Sequence, residues 1–280
     1  MIYELLLAAL VLVVLIIASY SDLRTKEVPD WLSYGFIFAA LGIRGIYSFQ
    51  DGWQVILSGV LGFAAFYLLA LLFYYTHQWG GGDSKLLMGM GAALGITFPF
   101  TESSFTLLWF LFLLLFAGAL YGMIWLGVLA VKRRNCLLPE LRSLLGTHKK
   151  IHLSVGFGSM LFLGAGVFVN SLLLMVTLLV VLYYLILFLV AVQSCCFIAE
   201  KDTKALTEGD WLAEDVIVRG KKLLKKKTLS RSDIEKLHHH KISSVTIKEG
   251  IPFVPSFLIA YAILLLGKDW IAIVIGRIWG

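Results

Sequence analysis

Long apolar runs, broken at intervals by short clusters of charge, proline or glycine, dominate the chain. A membrane-crossing helix needs roughly 17–25 predominantly apolar residues, which predicts spans near 2–20, 31–49, 54–76, 85–100, 105–131, 153–169, 171–193 and 252–267. The run from 153 to 193 is too long for one crossing, and Asn170-Ser171 is the expected turn between two antiparallel helices. The fourth and eighth runs are short, so about eight helices are expected, with six as the lower bound. After Lys268-Asp269 the stretch WIAIVIGRIWG is too short to cross again; it extends the last helix at a tilt or lies in the interface.

One segment breaks the pattern. Residues 198–250 are polar, with two β-branched runs, DVIVRG and ISSVTI, that read as strands. SDIEKLHHH reads as a helix opened by Ser232 and Glu235 in capping-box spacing. Its adjacent His238, His239 and His240 diverge around a helix, which favours a solvated helix end over shared metal ligation. The expected fold is therefore an all-α polytopic membrane protein with a small α+β cytosolic insertion. Its parts are transmembrane helices over 1–131, a basic cytosolic loop over 132–152, a transmembrane hairpin over 153–193, the insertion over 194–251 and a C-terminal transmembrane segment over 252–280.

Composition agrees with lipid as the solvent, since 59% of residues are hydrophobic and only 15% charged, with a mean hydropathy of +0.87. The run from Ile2 to Tyr20 has no basic residue before it and no small-residue cleavage site before Asp22, so it reads as a retained span rather than a signal peptide. Eight alternating crossings gather nearly all lysines and arginines on one face, the exceptions being Arg44, Lys268 and Arg277. Basic residues mark cytoplasmic loops, so that face is expected in the cytosol, with the amino terminus outside the plasma membrane. The net charge of +6 is thus a topology signal. Lys221, Lys222 and Lys225–Lys227 are expected to meet anionic lipid head groups. No aromatic residue is interleaved with them, which excludes a nucleic-acid stacking platform. Cys136, Cys195 and Cys196 show no C-x-x-C doublet and read as free thiols. No metal or other cofactor is expected.

The acids carry the chemistry. Most sit in the insertion or in evident loops, but Asp22 follows the first span and Asp83 precedes the fourth, in WGGGDSKLLMG. Both fall at the cytosolic boundary, so two carboxylates distant in sequence come to one membrane depth. Like charges a few Å apart do not both ionise readily, and such a pair holds a shared proton. One carboxylate then takes a proton from water while the other polarises a peptide carbonyl. The plainer alternatives are Asp83 as the N-cap of the fourth helix, with glycine as punctuation, and Asp22 as an ordinary loop acid beside Arg24. Paired ionisable residues at membrane depth favour function over both.

At these two places the chain resembles the type IV prepilin and preflagellin peptidases, membrane aspartic proteases with a GxGD motif. Gly80-Gly81-Gly82-Asp83 matches GxGD with Lys85 two residues on, and DLRTKEVPDWLSYG resembles the family's first aspartate, polar loop and span-opening proline. The clear resemblance covers roughly residues 5–100. It implies that Asp22 and Asp83 are the catalytic pair, supported by Gly80, Gly82 and Lys85. It also implies substrates that are pilin-like or flagellin-like precursors, cut at the cytosolic face between a short basic leader and a hydrophobic helix. The zinc-linked portion that accompanies methyl transfer in bacterial members has no counterpart, so an archaeal-type peptidase without that activity is expected. Glu27 and Asp30, with Glu140, are candidates to receive the basic leader, the plainer reading being that they neutralise Arg24, Lys26 and Arg142. Pro252 and Pro255 restrict the start of the last span, either as an ordinary helix start or as a strand lining the cleft, and His77 and Trp79 read as interfacial belt residues. Two rivals are a proton- or cation-coupled transporter, whose site belongs near the bilayer midplane, and a presenilin-like or signal-peptide-peptidase-like protease.

Overall fold

The structure, a computed structural model, describes residues 2–76, 78–100, 102–147, 149–166, 170–218, 221–225, 227–248 and 250–267. The chain forms two compact units, one taking residues up to Met123 together with the last helix, the other Ile124–Gly250. The protein is mostly helical, with a small sheet region, and among the described residues five helices are long and apolar enough to cross a membrane.

The first unit contains α1 (Ile2–Thr25), α2 (Asp30–Asp51), α3 (Gln54–Tyr75), α4 (Gly81–Leu94), the start of α5 (Thr106–Lys132) and α10 (Val254–Leu266). Connections of a few residues make α1 to α4 successive antiparallel neighbours, so the end of α1 and the start of α4 lie at one end of the bundle. Leu15, Phe36, Phe66, Leu86, Met90, Phe110 and Phe257 fill its core. α1 runs further than expected, so Asp22 is inside its last turns rather than beyond it.

α4 has 14 residues, about 21 Å at the α-helical rise, against a hydrocarbon core of about 30 Å. It is nonetheless largely buried, from Ser84 through Ala93. Gly62 of α3 and Gly91 of α4 face each other so closely that a Cβ on either would strike the other's carbonyl oxygen. Small residues thus let the two backbones meet. The helix stops at Leu94, short of the expected residue 100, because Gly95 turns into the left-handed region (φ 69°) and its N–H closes on the Gly91 carbonyl.

A helix ending inside a protein at membrane depth leaves carbonyls that water cannot reach. Arg44, buried in α2, satisfies them. Its Nε donates to Ala92 O (2.9 Å) and its Nη2 to Ala93 O (2.8 Å) and Leu94 O (3.0 Å). Its Nη1 donates to Val55 O (3.2 Å) and to Ser58 Oγ (2.5 Å) of α3. The one arginine that the charge pattern leaves inside a span is therefore the C-terminal cap of α4.

The second unit holds the rest of α5, then α6 (Arg134–Thr147), α7 (Lys149–Gly166), α8 (Asn170–Cys196) and a small α+β region. α6 occupies the stretch expected to be a loop. Asn170 and Ser171 open α8 instead of forming a turn, and residues 167–169 and 268–280, including the C-terminal stretch read as a tilted extension, lie outside the described residues. Packing of α6 on α8 joins Cys136 to Cys195 in a disulfide with the Cα atoms 6.1 Å apart, which corrects the free-thiol reading for that pair. Cys196 is free and buried. Counting cysteines did not reveal that residues 59 apart share one helix contact. Glu140 accepts a hydrogen bond from the Ser194 hydroxyl (3.1 Å).

In the polar segment, strands β1 (Ile198–Asp202), β2 (Trp211–Leu212) and β5 (Ser244–Lys248) form an antiparallel sheet in the order β1-β5-β2. β3 (Val216–Val218) pairs with β4 (Lys221–Leu224). Both β-branched runs are strands, as expected. β1 and β4 escaped notice because IAEKD and KKLL alternate too weakly to stand out. α9 (Arg231–His239) packs beside them with Leu237 fully buried. Its cap is not Ser232 with Glu235 but Ser230 with Asp233, two residues earlier: the Ser230 N–H (3.2 Å) and hydroxyl (2.7 Å) both donate to Asp233 Oδ2. Part of the lysine cluster is spent on ion pairs within this region, Lys222 with Asp215 (2.7 Å) and Lys227 with Asp233 (2.6 Å). The His238 ring hydrogen-bonds the Thr203 carbonyl at 2.9 Å.

Two stability predictions follow from these contacts. Arg44→Met strands the carbonyls of residues 92–94, each costing about 1–3 kcal/mol, so thermal unfolding in detergent should show a loss above about 3 kcal/mol. Arg44→Lys should recover only part of it, because an ammonium cannot fork to several carbonyls. Burial alone would push the Asp233 carboxyl up, but Lys227 and the two Ser230 donors outweigh it and hold the carboxyl well below the usual range. A depressed folded value means that this stabilisation is complete above the ordinary aspartate pKa of about 3.9 and is lost progressively as pH falls below it through the lower folded value. Asp233→Asn should therefore weaken the sheet region at neutral pH and flatten its acid sensitivity, measured by the amide I β-band during acid titration.

Candidate active site

Asp22 is buried, 6% exposed, where α10 and α4 pack against α1. Its Oδ2 accepts the Val254 N–H at 2.8 Å. That N–H belongs to the first turn of α10, where the helix offers donors with no intrahelical partner and a favourable dipole for an anion. Beyond Asp22 the chain reverses sharply. Lys26 adopts φ 57°, the Ser21 hydroxyl donates to Glu27 O (2.8 Å), and Pro29 caps the start of α2.

Asp83 arrives from the other direction. Gly80 is extended (φ −71°, ψ 166°) and is the N-cap of α4, so Asp83 is not the cap but stands in the first helical turn. Its carboxylate folds back onto the Gly80 N–H, and Asp22 is near enough to act on it electrostatically. The two motif glycines differ in purpose. A Cβ on Gly82 would sit 3.1 Å from Val28 Cβ, tight against the α1–α2 linker, whereas one on Gly80 would meet only Asp83 Oδ2 at 3.7 Å. Gly82 thus lets the start of α4 lie against the linker that follows Asp22.

The remaining candidates lie around this pair. Lys85 pairs with Asp30 at 2.6 Å and lies 5.0 Å from the Tyr34 ring centroid, tying α4 to α2. Glu27 is exposed on the linker. Asp22, Asp83, Gly80 and Gly82 therefore converge, and the Lys85–Asp30 pair stands beside them on the same helix ends. Among the described residues no group of three or more His, Cys, Asp or Glu is arranged to hold a metal ion.

Three contributors were not legible beforehand. Val254 acts through its backbone, which no side-chain pattern announces, although the two prolines flanking it mark a restricted segment. Trp79, expected as a belt residue, is partly buried against the core. It packs against Phe73 (4.6 Å between ring centroids), Phe253 (5.3 Å) and Phe257 (5.7 Å); His77 lies outside the described residues. Tyr121, on α5, comes close enough to Asp22 for phenol and carboxylate to interact electrostatically.

Five described helices long and apolar enough to cross a membrane fit a multi-pass membrane protein, and the two carboxylates at one end of its bundle, one held by a backbone donor, are its candidate site. Residues 9–127 match the type IV leader peptidase family. The chain is similar to curated preflagellin peptidases from three methanogens. The protein from Methanococcus voltae is 32% identical over 91 residues, covering 32% of this chain and 39% of the relative. That from Methanocaldococcus jannaschii is 32% identical over 81 residues (29% and 34%), and that from Methanococcus maripaludis 31% over 83 (28% and 34%). The chain thus spans about a third to two-fifths of the length of these relatives. No solved structure matches it significantly.

The asymmetry between glycines is measurable. Gly82→Ala must push Val28 aside and should lower stability by about 1 kcal/mol or more, seen as a reduced unfolding temperature in detergent. Gly81→Ala, whose Cβ would meet Tyr74 at an ordinary 3.8 Å, should be neutral or slightly stabilising.

Proposed function

We propose that this chain is a membrane aspartic endopeptidase that trims the short basic leader from preflagellin-like or prepilin-like precursors. The observation that carries the reading is the approach of Asp22 to Asp83, both of which lie within the stretch that matches the leader peptidase family. The pair holds one proton. The ionised carboxylate takes a proton from a water whose oxygen attacks the scissile carbonyl carbon, while the protonated partner gives its proton to the carbonyl oxygen. Collapse of the resulting gem-diol breaks the C–N bond as the leaving nitrogen takes the proton now held by the first carboxyl and a gem-diol hydroxyl gives its proton to the second, which returns the pair to its single-proton state. No covalent intermediate or cofactor is needed.

The site lies at the cytosolic face of the plasma membrane, with the amino terminus outside. This sidedness rests on the charge bias. The basic leader stays in the cytosol beside Glu27 and Asp30, the hydrophobic helix of the precursor lies in the bilayer, and the lysines around residues 221–227 meet anionic head groups. Both acids belong to residues 1–131 and the start of the returning segment 252–280 supports Asp22, with 132–152 basic and cytosolic, 153–193 membrane-embedded and 194–251 a cytosolic insertion.

The test is cleavage of a precursor with a basic leader after co-reconstitution in vesicles, followed by its change in size. Asp22→Ala and Asp83→Ala should each abolish trimming, by a factor above about 10³, while leaving the protein folded. Full trimming by either variant would falsify the acid pair. Proton or cation flux without trimming would instead favour a transporter.

A further inference from the structure

The last helix enters the site by two routes that meet in one residue. Val254 donates its N–H to Asp22. Phe253, next to it, stacks obliquely on Trp79, which immediately precedes the Gly80–Asp83 turn. Phe253 is also the N-cap of α10, with its carbonyl accepting both the N–H (3.0 Å) and the hydroxyl (2.6 Å) of Ser256, so the ring and the neighbouring donor are locked together. On its far side the ring fills the space left by Gly118 of α5, where a Cβ would lie 2.6–2.7 Å from its edge. Phe257 and Phe73 complete the packing around Trp79.

We propose that Phe253 and Trp79 are positioning residues that set the spacing of Asp22 and Asp83, by clamping the start of the last helix to the glycine turn. The inference rests on the peptidase reading for its catalytic consequence but not for its geometry. Asp22 is attached to one side of the aromatic contact through Val254, and Asp83 to the other through Gly80. A displacement of the Phe253 ring therefore changes the relation between the two carboxylates without altering either one. The contact lies between residues that are remote in sequence, and its α10 half falls beyond the stretch that matches the family. Its effect belongs to the rate of the chemical step, because neither ring is required to touch the precursor.

Gly118→Ala drives a methyl group into the Phe253 ring, and Trp79→Leu removes the opposing surface. Each should lower kcat about ten-fold or more, since small misplacements of reacting groups carry penalties of that order, with KM unchanged. Shortening the ring should relieve the first defect, so the double variant Gly118→Ala with Phe253→Leu should regain most of the rate. A readout independent of activity is hydrogen exchange at the Val254 amide. It should quicken about ten-fold in Asp22→Ala, Trp79→Leu and Gly118→Ala, as a local opening would. Unchanged Val254 exchange in both Trp79→Leu and Gly118→Ala overturns the clamp, whatever the trimming assay gives. Wild-type protein that fails to trim, or Asp22→Ala that trims fully, overturns the peptidase reading and leaves the exchange result to decide the clamp.

Discussion

A helix of 14 residues cannot cross a bilayer, and the arrangement of the first unit depends on what happens where α4 stops. Arg44 gives that stop a chemical solution by donating to the carbonyls of Ala92, Ala93 and Leu94. Left desolvated, those three groups at about 1–3 kcal/mol each would rival the 5–15 kcal/mol that typically separates folded from unfolded protein. The same guanidinium reaches Val55 and Ser58, so α2, α3 and α4 are joined at one point. The Gly62–Gly91 contact then brings α3 and α4 close enough for the joint to be short. With its far end secured, α4 can begin level with the end of α1, which is where Asp83 meets Asp22.

The sequence made the carboxylates legible for a simple reason. Ionisable residues beside apolar runs are few, and two short blocks around Asp22 and Asp83 carry patterns that chance rarely assembles. The apolar periods likewise located α1, α2, α3 and α5 within a few residues. Other features depended on contacts between distant residues. Arg44 stood out only as an arginine on the wrong face, and nothing local told that its partners would be backbone oxygens about fifty residues away. Trp79 looked like an interfacial aromatic because its neighbours Phe253 and Phe257 are remote in sequence. The cap of α9 was displaced by two residues because Ser230 and Ser232 both satisfy the local rule, and Lys227, which favours Asp233, lies outside it.

The two aspartates occupy opposite kinds of helix end. Asp83 is in the first turn of α4, where the helix dipole and free N–H groups favour a carboxylate. Asp22 is in the last turns of α1, where the dipole is unfavourable to an anion and burial removes water as a remedy. The start of α10 supplies what α1 cannot: a donor aimed at Oδ2, at the positive end of another helix. An acid pair assembled from one helix start and one helix end is inherently unequal, and a third helix is needed to support the weaker position. On this argument the last helix is not peripheral membrane anchorage but a required part of the site, since without it Asp22 would be a buried carboxylate lacking its backbone donor.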